Sequence, residues 1–564
     1  MKKTLWVQRL SGVATTIKQH AYMPYGTFIL GALLGLGFFA IAYDLRLLDP
    51  TFTDWLLVGE DLKQHFLGWE FYRHEPWTFP LGAIDQLAYP FGISLTYMDS
   101  VPLFAIPAKI FAPVLPENFQ YFGAWGLLCY MLQGGIAAMI MRRWTKNPLI
   151  ILLVAAVFVV SPIMMARMFV HTALAGHWII LLAVWAMIER DKIAAVKKQV
   201  IVWSSLFVLA VLVHPYFLPM VALPFAVSLI LLHKEWLGSL LKAAVPPLVG
   251  LVVFWAIGGF AVGTDDSGGG GLGNYQLNFT SLFNPLDWSA FVPTLHKFTG
   301  ESLNYLGLGV ILLLPVVLFI AAKKYDTVAK LKVLIRKMTL RHLLVVLVFV
   351  GLTLAAMSPR VFLGTRLLLE IDLPHKIESL WGVFQASARL FWVIYYLIIL
   401  GVLVCVIKSF GRKSQVVLVA FLAVFIGIQL VDVQKSHRAE GMRHLFNTYS
   451  VSDFTYTSPL KSPRWAVLAK ERQHIVYLDA IDNKEFFALA DIAAKHKMSM
   501  NTGYFARSPH EDILAYQNEQ IGKLLDDTAD LETNLYITKR KELVATLKKH
   551  GYVSEKLNGF YVVR

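Results

Sequence analysis

Cysteine is almost absent from this sequence: Cys129 and Cys405 are the only two in 564 residues. Both fall inside apolar runs, which excludes a disulfide framework and a thiolate metal site. Charge is scarce as well. Asp, Glu, Lys and Arg make up 16% of residues against 56% hydrophobic ones, and the mean hydropathy is +0.56. Such a composition excludes an ordinary soluble enzyme and belongs to chains that cross a membrane many times. Acidic residues number 38 against 52 basic ones, a formal net charge of +14. The excess sits in short loops between apolar runs, the mark of cytoplasmic loops, so nucleic acid is not the expected partner. No internal repeat of transporter type is present. The Gly-rich stretch 261–273 lacks the Gly-Lys-Ser/Thr ending of a phosphate-binding loop and has no strand before it. Lys2, Lys3 and Arg9 precede an apolar run, but Asp44-Leu-Arg-Leu follows it where a cleavage site would need small residues. That segment reads as an uncleaved anchor.

Eleven apolar stretches approach the ~20 residues that a bilayer core requires. They lie near 25–43, 119–141, 148–166, 174–189, 199–215, 217–233, 241–260, 305–322, 342–357, 390–407 and 414–431. With the N-terminus inside, Arg142, Arg143 and Lys146, then Arg190 to Lys198, Lys234, Lys323 to Arg341, and Lys408 to Lys413 all fall on the cytoplasmic side. Pro102–Leu115 is apolar enough to be a twelfth span. However, Pro102, Pro107 and Pro113 would leave backbone groups unpaired in lipid, and an extra crossing would invert every later loop. It reads as a partly inserted piece of a large first external loop, 44–118. Residues 261–304 form a second long external region, either a linker or a mobile cover, and 357–389 a third. After Val431 the character changes. Strand-like runs at Ile475–Asp479, Ser499–Phe505, Asn534–Thr538 and Phe560–Arg564 alternate with helical patterns at 484–497, 510–526 and 540–550. That order predicts a small external α/β domain over 440–564, following a membrane domain over 1–431.

The polar residues concentrate in the external loops. In Gly59–Trp77, Leu62, Phe66 and Trp69 make one apolar stripe at helical spacing, with Asp61, His65 and Tyr72 on the next and Gly68 between. This suits an interfacial helix with its apolar side to lipid and a carboxylate and an imidazole turned into a cavity, or simply a Trp-anchored juxtamembrane helix. Asp99, just ahead of apolar sequence, faces a cavity, or else Asp99 or Ser100 caps a helix. Arg167, His171 and His177 share one turn at membrane depth, which favours a polar site. His214-Pro-Tyr-Phe reads mostly as a turn. Arg389 opens the tenth stretch and either snorkels to headgroups or binds phosphate; Arg360, Arg366, His375 and Lys376 precede it.

A large first external loop with an early acid, many spans and an external C-terminal α/β domain resemble the GT-C glycosyltransferase superfamily. Within it, Gly59-Glu-Asp-Leu-Lys-Gln-His, Tyr89-Pro-Phe-Gly with Met98-Asp-Ser-Val-Pro-Leu, Ala175-Gly-His-Trp and Ala388-Arg-Leu-Phe-Trp are similar to a group of bacterial inner-membrane proteins without assigned function. The likeness covers most of the span region. It implies a polytopic α-helical membrane protein that moves a sugar from a polyprenyl-phosphate donor to a glycan or lipid acceptor on the periplasmic side, with inversion. On that reading Asp61 is the general base, His65 orients it and Asp99 positions the acceptor. Arg389, with Arg167 or Lys376, holds the leaving phosphate, while His171 and His177 bind sugar or phosphate. Relatives carry Asp-Glu or Asp-X-Asp early in the first loop and in some cases an acid in the second. Here Glu60-Asp61 is reversed and His171 or His177 stands in the second, so a divalent metal stays open. A lipid-glycan transporter or flippase and a non-catalytic envelope-assembly protein are the competing expectations.

Overall fold

The structure is a computed structural model that describes residues 24–57, 60–232, 240–261, 272–324, 330, 332–333, 336, 338–410, 414–433, 456–480, 483–507 and 509–564. The N-terminal basic residues, the glycine run at 268–271 and the expected start of the C-terminal domain at 440 lie outside them.

Helix α1 (Pro24–Ala42) leads into a long connection that carries α2 (Glu60–His74), the short strand pair β1 (Ala83–Ile84) and β2 (Ile93–Ser94), and α3 (Pro102–Ile110). Then come α4 (Phe122–Met141), α5 (Pro148–Val159), α6 (Trp178–Ile188), α7 (Val196–Val213), α8 (Phe217–Leu231), α9 (Leu240–Ala256), α10 (Leu308–Lys324) and α11 (Leu340–Met357). A hairpin of β3 (Arg360–Leu363) and β4 (Arg366–Glu370) and the short α12 (His375–Gly382) precede α13 (Trp392–Phe410) and α14 (Gln415–Asp432). Each of the eleven expected apolar stretches overlaps one of these helices. Six helical segments among the described residues are long and apolar enough to cross a membrane: Tyr25–Ala42, Phe122–Met141, Val196–Val213, Leu340–Met357, Ser387–Phe410 and Gln415–Asp432. α5, α6, α8 and α9 are apolar but shorter, because prolines and turns cut the runs. Val160 ends α5 and Pro162 starts a separate four-residue turn.

Local chemistry sets the helix ends. Asn147 caps α5 by accepting from the Leu149 amide, with Pro148 at the first helical position, and Ser414 caps α14 through the Val417 amide. The pair α1 and α4 is held by close backbone approach. A Cβ on Gly35 would meet the Tyr130 carbonyl oxygen at 2.1 Å, and one on Gly31 would meet that of Gly134 at 2.3 Å. Only glycine permits this approach.

Two sequence expectations about the first connection change. The Phe66 and Trp69 stripe of α2 does not face outward: both are buried, and Trp69 Nε1 donates to the Phe119 carbonyl at 3.0 Å beside the rings of Phe119 and Tyr121. The segment after Pro102 forms a nine-residue helix, ~14 Å long and so well short of a ~30 Å hydrocarbon core. Asp99 and Ser100 do not cap it either; its N-cap is Val101, which makes no side-chain bond.

The C-terminal region adds α15 (Arg464–Glu471), β5 (His474–Tyr477), α16 (Asn483–Lys495), β6 (Ser499–Met500), α17 (His510–Leu525), β7 (Asn534–Thr538), α18 (Lys541–Lys549), β8 (Ser554–Leu557) and β9 (Phe560–Val563). The sheet order is β6-β5-β7-β9-β8, with β6, β5 and β7 parallel and β9 antiparallel to β7. β7 has the bounds that its sequence predicts. β8 and α15 were not expected, since Ser554-Glu-Lys-Leu is too polar to read as a strand by itself. This sheet docks directly on the first connection. The Met500 amide donates to the Gln86 carbonyl at 2.7 Å, the Tyr89 amide donates to the Met500 carbonyl at 2.8 Å, and the Tyr89 ring stacks on His474 at 4.4 Å.

Candidate active site

A cavity of about 660 Å3 opens where the first connection, the helix ends and the C-terminal domain meet. Its lining falls within 61–99, His171, 214–216, 254–260, Tyr275, Glu301, 380–389 and 504–507. Numbered along the eleven apolar helices, these are the first, third, fifth, seventh and ninth connections, the end of α9, and the segment after α14. Among the described residues no even-numbered connection contributes. Among the described residues, the second and fourth connections, both basic, meet each other away from the cavity. There Arg143 of the second stands 3.8 Å from Glu189 of the fourth, and Asn147 of the second bonds Gln415, just past the tenth, at 3.4 Å.

Asp61 lies in the first turn of α2, with His65 one turn on. Asp99 closes the turn Leu95–Met98 at a positive φ of 54°. That turn is pinned beneath α2. Ser100 Oγ donates to the His65 carbonyl at 2.7 Å, Tyr121 Oη donates to the Ser100 carbonyl, and Gln64 Nε2 donates to the Tyr97 carbonyl at 3.1 Å. Gly68 makes the fit possible, because a Cβ there would meet Ser100 Oγ at 2.4 Å. α2 therefore delivers Asp61 to the cavity and buries His65 behind it.

Two charge groupings result. In the first, Glu301 sits in the turn Gly300–Ser302 between Arg167 Nη1 at 2.6 Å and Arg389 Nε at 2.7 Å, with His171 Nε2 at 3.5 Å. Burial works to raise the Glu301 carboxyl, but the two guanidiniums outweigh it and hold the group well below the usual carboxylate range. In the second, Asp99 Oδ1 stands 3.0 Å from His214 Nε2, and Asp99 Oδ2 is 3.7 Å from His65 Nε2. Burial raises Asp99 too, but the neighbouring imidazoles, His214 first, hold it below its ordinary value. Burial pushes His65 down to about 4, against the pull of Asp99 and Asp61, so it is neutral at pH 7. His214 Nδ1 accepts from the Tyr216 amide at 3.1 Å, which leaves the ring proton on Nε2, toward Asp99.

Asp61 joins the groupings. Its Oδ2 is 3.8 Å from His171 Nδ1, and its Oδ1 accepts from Tyr504 Oη of the C-terminal domain at 3.3 Å. With 29% of its side chain exposed, against 11% for Asp99 and 14% for Glu301, it is the most accessible carboxylate of the three.

The expected residues do not all converge. Asp61, Asp99, His171 and Arg389 line the cavity. Arg167 lies behind Glu301, with its guanidinium 5.7 Å from the Trp392 ring. His65 faces Asp99, so it does not orient Asp61. His177 is buried off the cavity, bonded through Nδ1 to Tyr396 Oη at 2.9 Å and packed on Trp392 at 4.4 Å. Lys376 is exposed on α12 and absent from the lining. His214 is part of the site as well as of a turn. Glu301, Tyr216, Tyr504 and Arg507 were not anticipated. A histidine ending an apolar run was a signal for His214, whereas nothing local marks Glu301 or the C-terminal residues. Among the described residues no group of three or more His, Cys, Asp or Glu side chains is disposed to hold a metal ion. Asp61 and Asp99 each face an imidazole instead.

The fold and the cavity define a mainly helical protein whose apolar bundle carries, at one end, a charged pocket completed by a small sheet domain. The chain belongs to the family defined by the domain of unknown function DUF6311, whose profile matches residues 32–434; the C-terminal domain profile of the same family matches 464–564. Neither description refers to sugar transfer, and no curated protein matches the sequence.

Proposed function

We propose that this chain is a membrane-embedded glycosyltransferase that takes a sugar from a polyprenyl-phosphate donor and passes it to a glycan or lipid hydroxyl. The eleven apolar helices cross a bacterial inner membrane, the even, basic connections face the cytoplasm, and the cavity opens on the periplasmic face. The observation that carries the reading is the wall composition of the cavity. An accessible carboxylate, Asp61, and a guanidinium, Arg389, share it with an apolar side of Phe254, Phe260, Leu380 and Phe384. A lipid-borne phosphosugar presents the same combination of apolar chain, anion and reactive carbon.

Asp61 takes the proton of the acceptor hydroxyl as that oxygen attacks the anomeric carbon. The new carbon–oxygen bond forms as the bond to the phosphate oxygen breaks, and the phosphate leaves with the electron pair. A phosphate ester is a stable anion, so it needs positive charge rather than a strong acid, and Arg389 supplies it. His171 and Tyr504 hold Asp61; Asp99, oriented by His214, is placed to accept a hydrogen bond from the acceptor. Arg167 acts from behind, by sharing Glu301 with Arg389. The test is consumption of radiolabelled polyprenyl-phosphate sugars by the purified protein, with release of polyprenyl phosphate. Movement of the intact lipid between leaflets without consumption would replace this reading with the flippase one.

A further inference from the structure

The cations at the cavity are unequally engaged. Arg167 and Arg389 are matched to Glu301, but Arg389 gives that carboxylate only its Nε among the described residues. Arg507, from the C-terminal domain, lines the same cavity and has no carboxylate partner among the described residues; Nη2 donates to the Val383 carbonyl at 2.9 Å. That bond ties Arg507 to the ninth connection, which also carries Arg389 into the cavity. Val383 precedes Phe384, whose ring meets Tyr216 edge-on at 5.6 Å, and the Arg389 guanidinium lies over the same Tyr216 at 5.0 Å. The segment carrying Arg507 is fixed as well: the Ala506 amide donates to the Tyr97 carbonyl at 3.0 Å, and Tyr504 reaches Asp61.

We propose that Arg507 is a substrate-binding residue, and that the C-terminal domain and the helical bundle clasp one phosphate ester between Arg507 and Arg389. The nearby carboxylates do not forbid an anion. Glu301 and Asp61 together stand against three guanidiniums, those of Arg167, Arg389 and Arg507, and Asp99 is engaged by His214. Guanidinium forks suit phosphate oxygens, and two of them from different domains give the ligand a role in holding the domains together. The inference rests on the reading of the cavity as a phosphate-ester site, not on the sugar-transfer step.

The test is calorimetric binding of farnesyl phosphate and, separately, inorganic phosphate to the purified full-length chain, with Arg507→Gln, Arg507→Lys and Arg389→Gln. Loss of a charge-assisted contact weakens binding by about 10- to 100-fold, so Arg507→Gln is expected to weaken farnesyl phosphate by that factor at an unchanged melting temperature. Arg507→Lys should recover part of it. Farnesyl phosphate binding far more tightly than inorganic phosphate marks a lipid-borne ligand; equal affinities with the same Arg507 dependence mark a free phosphate and keep the site. If Arg507→Gln binds like the parent while Arg389→Gln does not, Arg507 is no ligand and the phosphate reading stands without it. If Arg507→Gln and Arg507→Lys lose binding equally with a lowered melting temperature, the residue docks the domain and the proposal is overturned. If the parent binds neither probe, both readings fall.

Discussion

Glu189 and Glu301 are each held by two cations, at opposite ends of the bundle. Glu189 meets Lys192 at 2.5 Å and Arg143 at 3.8 Å, and those cations are 71% and 53% exposed. Glu301 meets Arg167 and Arg389 at 2.6 and 2.7 Å, and those are 6% and 10% exposed. The same charges do different things. At the basic end they follow from loops enriched in Lys and Arg, and although Glu189 itself is only 9% exposed, water screens both of its cations, so such pairs contribute little. At the cavity end, desolvation costs as much as attraction returns, and removing one partner strands the others. A buried arrangement of that kind is costly to keep, as a functional site often is.

The largest expected effect falls on Asp61. Asp61→Asn is nearly isosteric and removes proton-accepting capacity, so sugar transfer should drop by ~10²–10⁴-fold with unchanged abundance. Lys376→Gln, exposed and off the cavity, should transfer at the parent rate; the reverse ranking in a transfer assay would move the site to the third external loop. Next is the comparison itself. Glu301→Gln leaves two buried guanidiniums short of a counter-charge and should destabilise the protein by about 3–5 kcal/mol in thermal unfolding. Glu189→Gln should cost only about 0–1 kcal/mol. Equal losses would erase the distinction between the ends.

A smaller effect concerns pH. His65 has its folded value lowered from 6.5 to about 4, so the folded state disfavours its protonated form. Its neutral burial therefore contributes nothing to pH sensitivity above 6.5, and stability should fall as pH drops from 6.5 toward 4, by ~3 kcal/mol in all. Asp99, also lowered, adds its loss only further into acid, as pH falls through its folded value. Melting temperatures between pH 7.5 and 4.5 for the parent and His65→Gln check this. The slope over that interval should flatten in the variant, and an unchanged slope would assign it to other groups.

Much of the architecture was legible because it depends on local pattern. Apolar runs located the helices, and Asn534–Thr538 showed β-propensity strong enough to place its strand. The basic second and fourth connections come together as their charge suggested, and Asp61, Asp99, His171 and Arg389 were recognisable as polar residues in expensive positions. Long-range pairing was not legible. Glu301 is one acid in a loop until the fold sets it against Arg167, 134 positions away, and Arg389, 88 away. Tyr504 and Arg507 belong to a domain whose sequence says nothing of where it docks. The direction of α2 was misread because Phe66 and Trp69 suit lipid and a packed interior equally; only Phe119 and Tyr121 decide between them.

Every odd-numbered connection contributes to one cavity, and the proposed topology puts that cavity on the membrane face opposite the basic connections. Alkaline phosphatase, active only outside the cytoplasm, reports this directly when fused after Arg564 or at Lys332. An active fusion after Arg564 and an inactive one at Lys332 are expected. The reverse pattern would place the cavity in the cytoplasm, and equal activity would mean that the two ends do not lie on opposite sides of a membrane.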